Sequence, residues 1–410
     1  MYLGIDIGTS AVKTVLIDAG QAPVASASAP LRLSRPMPGW SEQHPDDWAA
    51  AVEACLDRLA AERPAELAAL KGIGLSGQMH GASLVGRDGK PLRPAILWND
   101  GRAAEEAKLL NADPRFRRIT GNLVFPGFTA PKLLWLRHHE PDVFAATDKV
   151  LLPKDYLRLW LTGEAVSDLS DASGTAWLDV GARRWSEPLL AATGIDERQM
   201  PRLVEGTEPS AVLRRELAAR WGIERQVVVA GGAGDNAAAA CGLGIVRAGA
   251  AFLSLGTSGV LFAATDRFAP KPESAVHAFC HALPRTWHQM GVSLSAAAAL
   301  DWLGRLLKEP GPELVRKLEP GPEHPAPLLF LPYLSGERTP HSDVTARGAF
   351  IGLAEESDRA AVTQAVLEGV AFALAECQAA LASAGTRPPR YLAVGGGARS
   401  RAWLAIIAHV

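Results

Sequence analysis

Apolar positions along the chain fall into two rhythms. Strand-length apolar runs closed by glycine alternate with longer stretches of helical spacing. Residues 2–7 and 14–18 predict two strands around Gly8-Thr9-Ser10, a hairpin-like start. Residues 46–62, DDWAAAVEACLDRLAAE, have helical spacing, with Asp46 placed to favour the helix start. Residues 71–86, KGIGLSGQMHGASLVG, predict a strand, a polar glycine-rich loop and a second strand. LWLRHHEPDVF and KDYLRLWLTG predict short helices. Residues 227–244, VVVAGGAGDNAAAACGLG, predict a buried strand, a glycine turn and a small-residue helix. AFLSLGTSGVLFAA then restarts the opening pattern. Residues 295–307 and 358–385 are helical by periodicity, and YLAVGGGARSRAWLAIIAHV closes as strand, glycine loop and helix.

At 410 residues the chain exceeds one ordinary core, and the restart near residues 243–250 divides it into expected domains 1–244 and 245–410. Hydrophobic residues make up 48% and charged residues 21%, a globular composition. The net charge of −2 and the absence of a long basic run exclude nucleic acid as the expected partner. No uncharged apolar stretch of about 18 residues predicts a membrane span. Asp6 interrupts the place where a signal peptide needs an apolar centre. Cys55, Cys241, Cys280 and Cys377 are far apart with no CxxC pair, which argues for a reducing, cytoplasmic compartment and against a zinc site.

The repeated turn carries the first chemical signal. Aligning Gly8 with Gly256 sets Ser254 opposite Asp6, so only the first of two similar turns has an acid. Successive backbone N–H groups in such turns form anion-binding concavities, and the Thr9 and Ser10 hydroxyls would add donors. A carboxylate repels phosphate, so Asp6 makes sense there with Mg²⁺ between them, since Mg²⁺ takes carboxylate and phosphate oxygens together. The plainer alternative is a pair of ordinary hairpin turns; their recurrence at matching places in two halves weighs against it. A third loop, GGGARS at 395–400, follows a strand and opens a helix, which suits a nucleotide.

Asp235 in GAGDNAA follows a buried strand at the mouth of a helix. It reads either as a helix N-cap or as a general base taking a proton from an attacking hydroxyl, with Asn236 beside it to hydrogen-bond a polyol. His80 in SGQMHG is a structural histidine or a donor to a sugar hydroxyl. LWNDGR groups Trp98, Asn99, Asp100 and Arg102 as a sugar-binding patch or a local ion pair. Glu337 and Arg338 in SGERTPH read as groups that fix a loop.

Taken together, DIGTSAVK, WSEQHPDDW, GLSGQMHG, RPAILWNDGR, ITGNLVFPGFTAPKLLW, LLPKDYLRLWLTGE, SDLSDASGT, GAGDNAA, LSLGTSGV, FLPYLSGERTPH, ARGAFIGL and GGGARS make the whole chain resemble the FGGY family of carbohydrate kinases. The narrower motifs QMHG, WNDGR and FTAPKLLW look like the branch acting on D-xylulose, whereas glycerol kinases carry an Arg-Glu pair where this chain has Met79-His80. The resemblance implies an α/β fold of two actin-like (ribonuclease H-like) ATPase domains with a central cleft. It implies ATP and Mg²⁺, with Asp235 as base and Met79, His80, Asp235 and Asn236 on the sugar. Asp6 and Asp235 would organise the metal. Gly8, Thr9, Gly256, Thr257, Gly397 and Ala398 would hold the nucleotide, with the Ser10 hydroxyl beside the first turn. A homodimer is left open. Ribulokinase or glycerol kinase activity, or sugar binding without turnover, are the alternatives. Family members continue for roughly 70 residues past the GGGARS loop, so the adenine wall is expected to be short.

Overall fold

The computed structural model describes residues 1–318, 321–322 and 324–410. The chain divides into two compact units, Met1–Leu243 with Phe279–Thr286, and Gly244–Ala278 with Trp287–Val410.

The first unit is built on a seven-stranded sheet. Strands β1 (Tyr2–Ile7), β2 (Ala11–Ile17) and β3 (Pro23–Pro30) form an antiparallel meander. After helix α1 (Pro45–Glu62), strand β4 (Gly72–Gly77) returns parallel to β1. Helices α2 (Thr129–His139) and α3 (Pro153–Thr162) come later in the chain, and strand β5 (Val228–Ala230) lies parallel to β4 on its other side. Alternation explains β1: Leu3, Ile5 and Ile7 point into the core, where they join Val12 and Leu16 of β2. Tyr2, Gly4 and Asp6 point the other way. Helix α1 covers the core face with Trp48, Val52, Leu56 and Leu59. Its start is specified locally: His44 caps it by accepting from the Asp46 N–H, Pro45 opens it, and Asp46 and Asp47 lie in the first turn. The face bearing Gly4 and Asp6 lines a cavity of about 950 Å³ together with Lys13, Ser28, Ser76 and Cys241.

The segment Phe279–Thr286 belongs to this unit although it lies late in the chain. The Cys280 N–H donates to Ser173 Oγ at 3.0 Å, and Arg183 Nη1 donates to the Thr286 carbonyl at 3.0 Å.

The second unit repeats the plan. Strand β6 (Ala251–Leu255) pairs antiparallel with β7 (Gly259–Thr265), which pairs antiparallel with β8 (Trp287–Ser293). Helix α5 (Ala297–Leu307) follows, and the 25-residue helix α6 (Arg359–Ser383) precedes β9 (Leu392–Val394), which runs parallel to β6. Here Leu253, Leu255 and Leu261 pack against Val366, Val370, Leu374 and Leu381 of α6 and against the buried Trp403. Among the described residues, α6 is long and apolar enough to cross a membrane. It carries Glu368 and Glu376, and two thirds of its apolar window is buried inside the protein, so it is a core helix. All four cysteines are free.

Candidate active site

Parallel pairing sets the register of the site. Asp6 of β1 lies opposite Ser76 of β4, and Ser76 lies opposite Ala233 in a short bridge that follows β5. Asp6 and Asp235 therefore stand at the same, carboxyl ends of the parallel segments that flank β4 on either side. Asp6 Oδ1 accepts from Ser76 Oγ at 3.0 Å.

Asp235 is the first residue of helix α4 (Asp235–Gly242), and Gly234 occupies the cap position. The N-cap alternative for Asp235 is thus set aside: its Oδ1 accepts from the N–H of the next residue, Asn236, at 2.7 Å, and from Asn236 Nδ2 at 2.9 Å. The side chain is reached by solvent yet densely surrounded by protein. That desolvation pushes its carboxyl up to about 6; the Asn236 hydrogen bonds oppose the shift and the Asp6 charge adds to it. Two carboxylates whose charges repel across the end of β4 have the donor chemistry of a divalent-cation site.

Met79 and His80 follow β4 in the loop expected to carry them. Met79 is buried, and Gly234 lies close against it: a Cβ on Gly234 would sit 2.9 Å from Met79 Sδ. His80 adopts a left-handed backbone with φ of 69°. Its ring stacks on Phe128 at 4.6 Å, and Nδ1 is 2.7 Å from the Gly174 carbonyl. A carbonyl only accepts, so Nδ1 carries a proton. Lys132, fully buried, donates to the His80 carbonyl at 3.0 Å and to the Gly127 carbonyl at 2.7 Å. Burial holds the Lys132 ammonium well below its ordinary range, with Asp100 opposing the shift.

The first glycine turn is tight: the Gly8 N–H donates to the Ala11 carbonyl at 3.0 Å. Thr9 Oγ1 gives its proton to Gln78 Oε1 at 3.2 Å and accepts from Trp98 Nε1 at 3.0 Å. Its hydroxyl is therefore engaged within the protein, whereas Ser10 is exposed. Gln43 Nε2 donates to the Thr9 carbonyl at 2.7 Å, and Gln43 Oε1 accepts from Trp48 Nε1 at 3.0 Å.

In the second unit, the Gly256 and Thr257 carbonyls accept from the Ala296, Ala297 and Ala298 N–H groups at 2.9–3.2 Å, which ties this turn to the start of α5. Gly397 and Ala398 form a 3₁₀ turn ahead of helix α7 (Arg401–His409). A Cβ on Gly397 would meet Leu255 Cβ at 2.9 Å, so glycine lets the loop lie close on β6.

Asp100 and Arg102 form a buried ion pair at 2.7 Å, joined by Glu42, and the Arg102 guanidinium lies 3.5 Å from the Trp40 ring. They are structural, as the local-pair reading had it, while Trp98 is 46% exposed. Glu337 accepts from Ser293 Oγ and the Leu294 N–H, both at 2.8 Å, and fixes its loop.

Sequence reasoning assigned no role to Arg158, Asp168, Ser170 or Gly174, which surround the Asp235 and His80 loops. The one signal was the SDLSDASGT motif. Asp155, Asp168 and Asp171 form the described carboxylate group closest in arrangement to a metal cage, but Lys154 fills it, 2.5, 2.7 and 3.3 Å from the three acids. Burial disfavours that ammonium, and the three carboxylates more than compensate, raising its pKa above the ordinary value.

Comparison with known proteins agrees with this geometry. Residues 1–242 match the N-terminal domain of the FGGY family of carbohydrate kinases, and residues 251–410 match the C-terminal domain. A xylulose kinase of Escherichia coli (strain K12) is 50% identical over 412 residues, an alignment covering 100% of this chain and 84% of that protein. The crystal structure of a xyloylose kinase from Brucella ovis superposes with a TM-score of 0.98 at 61% identity, covering 99% of this chain and 84% of that one. A gluconate kinase from Lactobacillus acidophilus gives 0.93 at 27% identity, covering 100% and 84%. The actin-like plan expected from the motifs is borne out, and the chain belongs to the FGGY family of carbohydrate kinases.

Proposed function

We propose that this chain transfers the γ-phosphoryl group of ATP to the terminal hydroxyl of D-xylulose, giving D-xylulose 5-phosphate. The observation that carries the reading is the Asp235 carboxyl, lifted to about 6 by desolvation and set directly behind Gly234, against which Met79 packs. A base with a pKa near the working pH is suited to taking a proton at the transition state. Asp235 orients the attacking hydroxyl in line and accepts its proton. His80, with Nδ1 on the Gly174 carbonyl, offers Nε2 to a sugar hydroxyl. Met79 supplies an apolar wall, and Asn236 both steadies Asp235 and faces the polyol. The glycine-rich turns at Gly8, Thr9 and Ser10 and at Gly256, Thr257, Gly397 and Ala398 hold the nucleotide. Asp6 and Asp235 would hold Mg²⁺, whose chemistry is to neutralise charge on the phosphate oxygens. The free cysteines fit a cytoplasmic setting.

D-xylulose is favoured over other sugars because the relatives at 50% and 61% identity are named for it, whereas the gluconate kinase is 27% identical. A coupled ADP-release assay with D-xylulose, D-ribulose, glycerol and gluconate tests this. The expected result is the highest kcat/KM with D-xylulose. A higher value with any of the other three would overturn the substrate.

A further inference from the structure

We infer that Ser170 is a positioning residue for Asp235, anchoring it to a buried charge nest. The inference rests on the reading of Asp235 as base. Among the described residues, the hydrogen bonds to the Asp235 carboxylate come from its neighbour Asn236 alone. Its direction therefore depends on the backbone that carries it. That backbone is Gly231-Gly232-Ala233-Gly234, which has almost no side chains to hold it. The glycines are required by close approach: a Cβ on Gly231 would lie 2.1 Å from the Glu205 carbonyl oxygen, and one on Gly232 2.3 Å from that of Leu75.

Anchoring comes from outside. The Gly234 N–H, one residue before Asp235, donates to Ser170 Oγ at 3.1 Å. Ser170 Oγ in turn donates to Asp168 Oδ1 at 2.5 Å, and Asp168 Oδ2 lies 2.7 Å from Lys154 Nζ. At the other end of the stretch, Arg158 donates to the Ala230 carbonyl at 2.6 Å and to the Gly231 carbonyl. Lys154, Asp155, Arg158, Asp168 and Asp171 are all fully buried. Burial pushes the Asp171 carboxyl well above its ordinary range with Lys154 opposing the shift, and the buried cations Lys154 and Arg158 face the carboxyl groups of Asp155, Asp168 and Asp171. The ion pairs hold Asp168 in place, and Ser170 transmits that placement to the residue before the base.

The test is a double-mutant cycle in the full chain with D-xylulose and MgATP. Ser170→Ala is expected to lower kcat about tenfold through misplacement of the base. KM for the sugar should stay within about twofold of the parent. On an Asp235→Asn background the same change should cost nothing further, because the group being positioned is gone. If Ser170→Ala does not fold, Ser170→Cys, which keeps the shape and a weak acceptor, carries the same comparison. Parental kcat in the single variant overturns the inference, and so does a loss that multiplies with that of Asp235→Asn. Failure of the base reading shows separately, as near-parental turnover by Asp235→Asn alone.

Discussion

Asp235→Asn exposes a conflict at the start of helix α4: the group proposed as base is one the fold holds more easily uncharged. Its carboxyl is raised from 3.8 to about 6 by desolvation, with the Asn236 bonds opposing and the Asp6 charge adding. The native state thus binds this proton more tightly than the unfolded chain does. Stability falls as pH rises from about 4 to about 6 and is flat above that window. At about 1.36 kcal/mol per pH unit, the rise from the ordinary carboxylate range to about 6 sets a ceiling of roughly 3 kcal/mol. Solvent reaches the side chain, and screening reduces the effect to about 1 kcal/mol. Asparagine keeps the Oδ1 that accepts from the Asn236 N–H at 2.7 Å and removes the charge. The variant should therefore melt about one to four degrees above the parent at pH 8. The gap should close as pH falls toward 4. Turnover should meanwhile drop at least about 10²-fold. Thermal unfolding followed by circular dichroism from pH 4 to pH 8, beside the ADP-release assay, reads both. A variant less stable than its parent at pH 8, or a gap that persists at pH 4, would refute the argument that the carboxylate is held at a cost.

Further expectations follow from the same geometry. Because the base acts deprotonated, kcat/KM for D-xylulose should fall about tenfold per pH unit below a pKa near 6 and level off above it; a profile flat down to pH 5 would remove Asp235 from that role. Gly174→Ala would put a Cβ 2.4 Å from His80 Cε1. Displacement of the ring should raise KM for the sugar about tenfold or more with a smaller change for ATP, and steady-state kinetics with each substrate varied would decide it. Trp403→Ala empties a site that is 1% exposed in the second unit's core and should cost about 3–5 kcal/mol, seen as a lower denaturation midpoint.

The sequence was most legible where chemistry is local. Strand β1, the Gly8 turn and helix α1 were readable because alternation, glycine and an acidic first turn each act over a few residues. Asp100 and Arg102 lie two apart, so a local pair could be anticipated. The Lys154–Asp155–Arg158–Asp168–Asp171 nest could not, because three of its members lie on one helix and two in the later 166–172 segment, and no sequence pattern pairs the two groups. The stretch 153–162 showed only a short helix, and nothing in it announces that its polar residues face inward. The sequence likewise does not reveal that Gly174, 94 residues after His80, presents its carbonyl to the His80 Nδ1. The Thr9 hydroxyl looked available for the same reason: Gln78 and Trp98 reach it only in the folded chain. The return of Phe279–Thr286 to the first unit is likewise a tertiary event with no composition change to mark it.

The backbone of His80 has a bearing on how this enzyme would respond to directed evolution. At φ of 69° a glycine would sit without strain, while any side chain costs about 1 kcal/mol or more. The imidazole offsets that cost through its stack on Phe128 and its bond to Gly174. With the two contributions of opposite sign, position 80 is nearly silent in a screen that ranks variants by heat resistance, and such a screen would pass glycine there without penalty. Only selection on sugar turnover would retain the ring, so a thermostabilised library of this kinase should hold position 80 fixed.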